Sequence, residues 1–216
     1  MGCRFAGWPA DAFEAEEAQP RSSRLRPRES LLASSGEPRL EATLIGIRPA
    51  RHVLLWEGYF RAAEALIDIC KDEPREALRL VYPILFSYRH AVELSLKFFI
   101  DFYGNEDPPR SHDLMALWAA ARELIDGHSC AAPDELESMG TVVSELHGLD
   151  PASTSFRYSW RRRHLADEEL LEADYPHDRD DVNVDLIQIA DVMERVKQFL
   201  DEIDFDLMGT VSGPLE

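Results

Sequence analysis

The sequence predicts an all-α protein, an antiparallel bundle of about five helices behind a flexible N-terminal leader. Three observations carry this. From Arg51 onward, apolar residues recur at three- and four-residue steps. No segment alternates apolar and polar residues over the length of a strand. The connections between the periodic blocks are mostly short.

Residues 1–42 read as the leader. Pro9, Pro20, Pro27 and Pro38 punctuate it, and RSSRLRPRES lacks apolar periodicity. Such a segment buries too little surface to offset its ordering entropy. A short helix at Ala10–Ala18 would be marginal alone. Residues 43–208 read as one helical domain and 209–216 as a frayed tail. The first helix is expected over His52–Cys70, where Leu55, Tyr59, Ala62, Ala63 and Leu66 share a face. The second, Arg75–Tyr103, is the longest. Pro83 is expected to kink it or divide it after Val81, and Gly104 to close it in a left-handed cap. The third spans His112–Gly127, with Ser111 as N-cap and Asp113 in the first turn. The fourth spans Pro133–His147 and the last Val184–Leu207. Between these two lies a long non-periodic stretch, interrupted by a short helix at Ala166–Ala173. A loop of that length in a compact domain is functional or disordered.

The composition narrows the function classes. With 45% hydrophobic residues in 216, the chain can build one sizeable core. A net charge of −18 disfavours general coating of nucleic acid, which draws its affinity from Lys and Arg. The three cysteines are scattered and form no CxxC pair, so neither a structural zinc site nor any other metal site is specified. No cofactor motif is present either; there is no Gly-rich phosphate loop, nucleophile elbow or HExxH. No stretch reaches the roughly 20 apolar residues of a membrane span. The N-terminus lacks the apolar core of a signal peptide. These features lead to the expectation of a cytoplasmic protein without a membrane partner.

The segment VYPILFSYRHAVELSLKFFI carries the candidate chemistry. On a helical wheel its apolar residues cover most of the girth, while Arg89, His90, Glu93 and Lys97 fall together within about 100°. A helix apolar over most of its surface is buried by several neighbours. The stripe is then either a solvated edge supported by i, i+4 pairs or a partly buried ionic cluster. In a cluster, a histidine beside Arg, Glu and Lys can do acid–base work near neutrality. SHDL adds His112 and Asp113 at a helix start. FRYSWRRRH places Arg157, Arg161, Arg162, Arg163 and His164 among Phe156, Tyr158 and Trp160. Arginines recognise phosphate bidentately and aromatic rings stack on bases. The bland alternative for this cluster is pairing with the acidic run that follows it.

Through LWEGYFRAAEAL, YPILFSYRHAVELSLK, SHDL and a closing long helix, the chain resembles the HEPN superfamily over roughly residues 52–205. Many HEPN proteins are metal-independent endoribonucleases, often homodimeric and often part of toxin–antitoxin or defence systems. Others are inactive partners. The resemblance thus implies RNA or a nucleotide as ligand, a second copy of the chain, and a cognate antitoxin or other partner protein. The family's Arg-x4–6-His signature lies near the start of its final helix. Here that spacing occurs at Arg157–His164 and Arg122–His128, and the final helix has neither an Arg at its start nor a His. If this branch of the family is catalytic, the stripe Arg89, His90, Glu93 and Lys97, with His112 and Arg157, takes the place of the usual pair. The resemblance implies phosphate or RNA contacts from Arg157, Tyr158, Arg161, Arg162 and His164. A non-catalytic dimerising module is the alternative, with its face on the Trp56/Tyr59 helix or the last helix.

Overall fold

The computed structural model describes residues 49–128, 131–157 and 182–211. The chain divides into two units, Met1–Leu44 and Ile45–Glu216. The first lies outside the described residues, as do both expected short helices at Ala10–Ala18 and Ala166–Ala173. Five α-helices occur among the described residues and no strand: α1 (Pro49–Asp72), α2 (Ala77–Phe98), α3 (Leu114–His128), α4 (Pro133–Leu149) and α5 (Leu186–Val211).

Helices α1 and α2 form an antiparallel hairpin across a single 3₁₀ turn, Pro74–Glu76. His52, near the start of α1, stacks on Phe98 at the end of α2, and Tyr59 meets Phe86 and His90 midway. Trp56, Phe60, Ala63 and Ile67 bury one face of α1 completely. Trp56 therefore belongs to the core and not to an exposed dimer face, because the apolar stripe of α1 turns inward against α2. Helices α3 and α4 form a second hairpin. A Cβ placed on Gly140 would come within 3.0 Å of the Trp118 indole nitrogen, so the two helices approach closely there. Helix α5 packs against α1, α2 and α3, contributing Met193, Val196, Leu200, Ile203 and Leu207 to the core. Among the described residues no helix is long and apolar enough to cross a membrane.

Four local expectations change. Pro83 does not divide α2, which runs unbroken from Ala77 to Phe98. Pro83 is exposed, so the carbonyl it leaves unpaired one turn back can be met by water. The helix changes character instead at Phe99–Tyr103, a π-helical turn. Gly104 after it is right-handed, with φ −76°, and the left-handed residue is Asn105. Glycine is needed at 104 for space: a Cβ there would lie 2.6 Å from the Ile100 carbonyl oxygen. The cap of α3 is Asp113, not Ser111. Its Oδ1 accepts from the Met115 and Ala116 amides at 2.9 and 3.1 Å, and Asp185 caps α5 in the same way. Helix α5 also extends past the expected end, to Val211.

Candidate functional site

The stripe on α2 is not a solvated edge. Arg89 is fully buried and Glu93 nearly so. Their spacing of four residues puts both side chains on one helical face, and Arg89 Nη1 donates to Glu93 Oε2 at 3.0 Å. Burying the pair is tolerable because almost every polar atom finds a partner. Arg89 Nε donates to the Asp150 carbonyl at 2.9 Å and Nη2 to the His112 carbonyl at 2.6 Å. The planar fork thereby ties the middle of α2 to the turn before α3 and the turn after α4.

Glu93 completes the hold on His112. Its Oε1 lies 2.8 Å from His112 Nδ1 and 2.8 Å from Lys97 Nζ. Burial by itself would raise the Glu93 carboxyl. The hydrogen bonds and charges of Lys97 and His112 outweigh it and hold the group below the ordinary carboxylate range. Glu93 is thus an acceptor only, so His112 Nδ1 carries the proton and donates it. One turn of α2 grips both the backbone and the ring of His112. The ring itself remains half exposed, at 52%, and Nε2 is its nitrogen not bound to Glu93. Lys97 is also accessible, at 26%.

His90 lies on the same stripe in a different setting. Its ring stacks on Phe86, with centroids 5.4 Å apart at 13°, and meets Tyr59 edge-on at 4.6 Å. Burial lowers its pKa. Glu93 opposes that shift, while the charges of Lys97, Arg89 and His112 reinforce it. His90 therefore favours its neutral form. Arg157 reaches the same aromatic group from the loop after α4. Its guanidinium carbon lies 5.8 Å from the Phe86 ring centre, and its Nε and Nη2 donate to the Ser153 carbonyl.

Arg89, His90, Glu93, Lys97 and His112 are accordingly brought together, and Arg157 joins them through Phe86. Tyr158, Arg161, Arg162, Arg163 and His164 lie outside the described residues. The other Arg–His spacing is not assembled as a pair: Arg122 faces Asp126 at 3.5 Å, and His128 Nδ1 lies 3.0 Å from the Leu124 carbonyl. Among the described residues no three His, Cys, Asp or Glu side chains converge as metal ligands. One groove of about 530 Å³ is bordered by α4, α5 and Leu85, and none of its lining residues belongs to the cluster.

Sequence reasoning missed Asp150. It is fully buried, and its Oδ1 accepts from the Thr154 and Ser155 amides at 2.7 and 2.9 Å. It thus shapes the turn that presents both its own carbonyl to Arg89 and Arg157 to Phe86. Ser153 takes a left-handed φ of 56° in this turn. The local signal was present: an Asp directly after a helix end, followed by Pro, Ala, Ser, Thr and Ser, is turn chemistry. Compared with known protein families, characterised proteins and solved structures, the chain has no significant match.

Proposed function

We propose that the chain is an HEPN-like, metal-independent endoribonuclease of a toxin–antitoxin or defence system, with the α2 stripe and His112 as its active site. The observation that carries this reading is the 2.8 Å contact between Glu93 Oε1 and His112 Nδ1. A buried carboxylate orienting a half-exposed imidazole is the arrangement that acid–base chemistry requires. Neutral His90 takes the proton from a ribose 2′-hydroxyl, and the 2′-oxygen attacks the adjacent phosphorus. The bond from phosphorus to the 5′-oxygen breaks, and His112 in its imidazolium form gives that oxygen its Nε2 proton. The products are a 2′,3′-cyclic phosphate and a 5′-hydroxyl, and exchange with water resets both rings. Lys97 supplies positive charge to the phosphorane. Arg89, with no exposed surface, acts as a positioning residue and not as a phosphate contact.

The test is purified protein with mixed RNA in a chelator, comparing wild type with His112→Ala, His90→Ala and Arg157→Ala. Cleavage that leaves cyclic phosphate ends and falls at least about a hundredfold in the two histidine variants is expected, from the usual contribution of acid–base groups. No cleavage by wild type overturns the reading.

A second reading has its own observation. Phe205 is 77% exposed and Met208 is 52% exposed on the last turns of α5. This apolar end supports a homodimer contact or a partner-protein surface, such as one for a cognate antitoxin. A non-catalytic dimerising module would show a concentration-dependent mass that Phe205→Glu abolishes, with no RNA cleavage.

A further inference from the structure

The polar stripe continues toward the N-terminus of α2 as an aromatic one. Phe86 lies four residues before His90, and Tyr82 four before Phe86. All three fall on one face at about 100° per residue. Tyr82 is 56% exposed. Its ring is braced by Phe156, with centroids 6.5 Å apart at 53°. Phe156 directly precedes Arg157, whose guanidinium lies over Phe86. A solvent-facing tyrosine, a second ring beside it and an arginine one residue on thus form a shelf continuous with the catalytic stripe.

Resting on the ribonuclease reading above, we infer that the Tyr82–Phe156 shelf is a subsite for an unpaired nucleobase of the substrate. A base can stack on an exposed ring only when it is not already stacked and paired within a duplex. Eight residues of helix separate Tyr82 from His90, or about 12 Å. That is the length of a few nucleotides at about 3.4 Å per stacked base. The strand lies along α2, with its cleaved phosphate at His90 and His112 and an unpaired base on Tyr82. The guanidinium of Arg157 lies over Phe86, midway in sequence between Tyr82 and His90, and adds positive charge beside the shelf in a chain of net charge −18.

The experiment compares wild type, Tyr82→Ala and Tyr82→Phe, all full length, on a short single-stranded RNA and on its blunt duplex. Tyr82→Ala is expected to raise KM about fivefold or more, the alanine-scan value of one stacked base, with kcat within about twofold. Tyr82→Phe restores KM, and wild type cleaves the duplex poorly. A single abasic nucleotide a few positions from the cleaved bond raises KM for wild type and not for Tyr82→Ala. Unchanged KM in Tyr82→Ala, or equal cleavage of duplex and single strand, overturns the subsite while the ribonuclease reading stands. A change of self-association in Tyr82→Ala with unchanged KM also overturns it, in favour of a protein contact. Absence of RNA cleavage by wild type overturns both proposals.

Discussion

Replacing Arg89 with alanine would remove a side chain that joins three segments of the chain. The guanidinium donates to the Asp150 carbonyl, the His112 carbonyl and Glu93, and none of its surface is exposed. The Asp150 carbonyl, left buried without a donor, costs about 1–3 kcal/mol. Breaking a buried ion pair from one side costs about 3–5 kcal/mol. These figures overlap and do not sum, because Glu93 keeps Lys97 and His112 as partners. A loss of about 4 kcal/mol is therefore expected, a large share of the roughly 5–15 kcal/mol that stabilises a domain. In urea, with a slope of about 2 kcal/mol per molar, the midpoint falls by about 2 M. Arg89→Lys should recover little, since an ammonium cannot fork to three acceptors in one plane. An Arg89→Ala loss below about 1 kcal/mol, or an Arg89→Lys protein as stable as wild type, would refute the view that this fork holds the site together.

Four further outcomes follow from the same geometry. The folded-state pKa of His90 is lowered, so the unfolded chain binds more protons below about pH 6.5; stability should fall as pH drops through that range, and His90→Phe should flatten the slope in thermal melts. The Glu93 carboxyl is held low by Lys97 and His112 despite its burial, so its stabilisation is complete above the ordinary carboxylate range and lost as pH falls through it; urea titrations at acid pH should show a shallower dependence for Glu93→Gln. Asp150→Ala should cost about 1–3 kcal/mol by orphaning the Thr154 and Ser155 amides, whereas Asp150→Asn, which retains an acceptor oxygen, should melt close to wild type. Gly104→Ala should lower the melting temperature, at a cost of about 1–3 kcal/mol, because its Cβ would press on the Ile100 carbonyl oxygen at 2.6 Å; unchanged melting would show that the π turn yields easily.

The sequence by itself determined the helices, since their apolar periodicity is a local property of the chain. The five helices, the central burial of α2 and the spacing that aligns Arg89, His90, Glu93 and Lys97 are all legible from residue order. Local rules failed where neighbours decide. Pro83 reads as a kink or a division of α2, and the division is removed only by the continuous helix; Gly104 reads as a left-handed cap until the approach of the Ile100 carbonyl is known. Whether the stripe faced water was beyond the sequence, because the same i, i+4 pair serves a solvated edge or a buried cluster. Only the tertiary structure decided it, by bringing the backbone of His112 and Asp150 to Arg89 across 23 and 61 residues. The pairing also depends on Asp150 shaping its own turn, a contribution that no helical periodicity records. The physical reason is that burial of charge is set by the partners that meet it, and those partners come from remote parts of the chain.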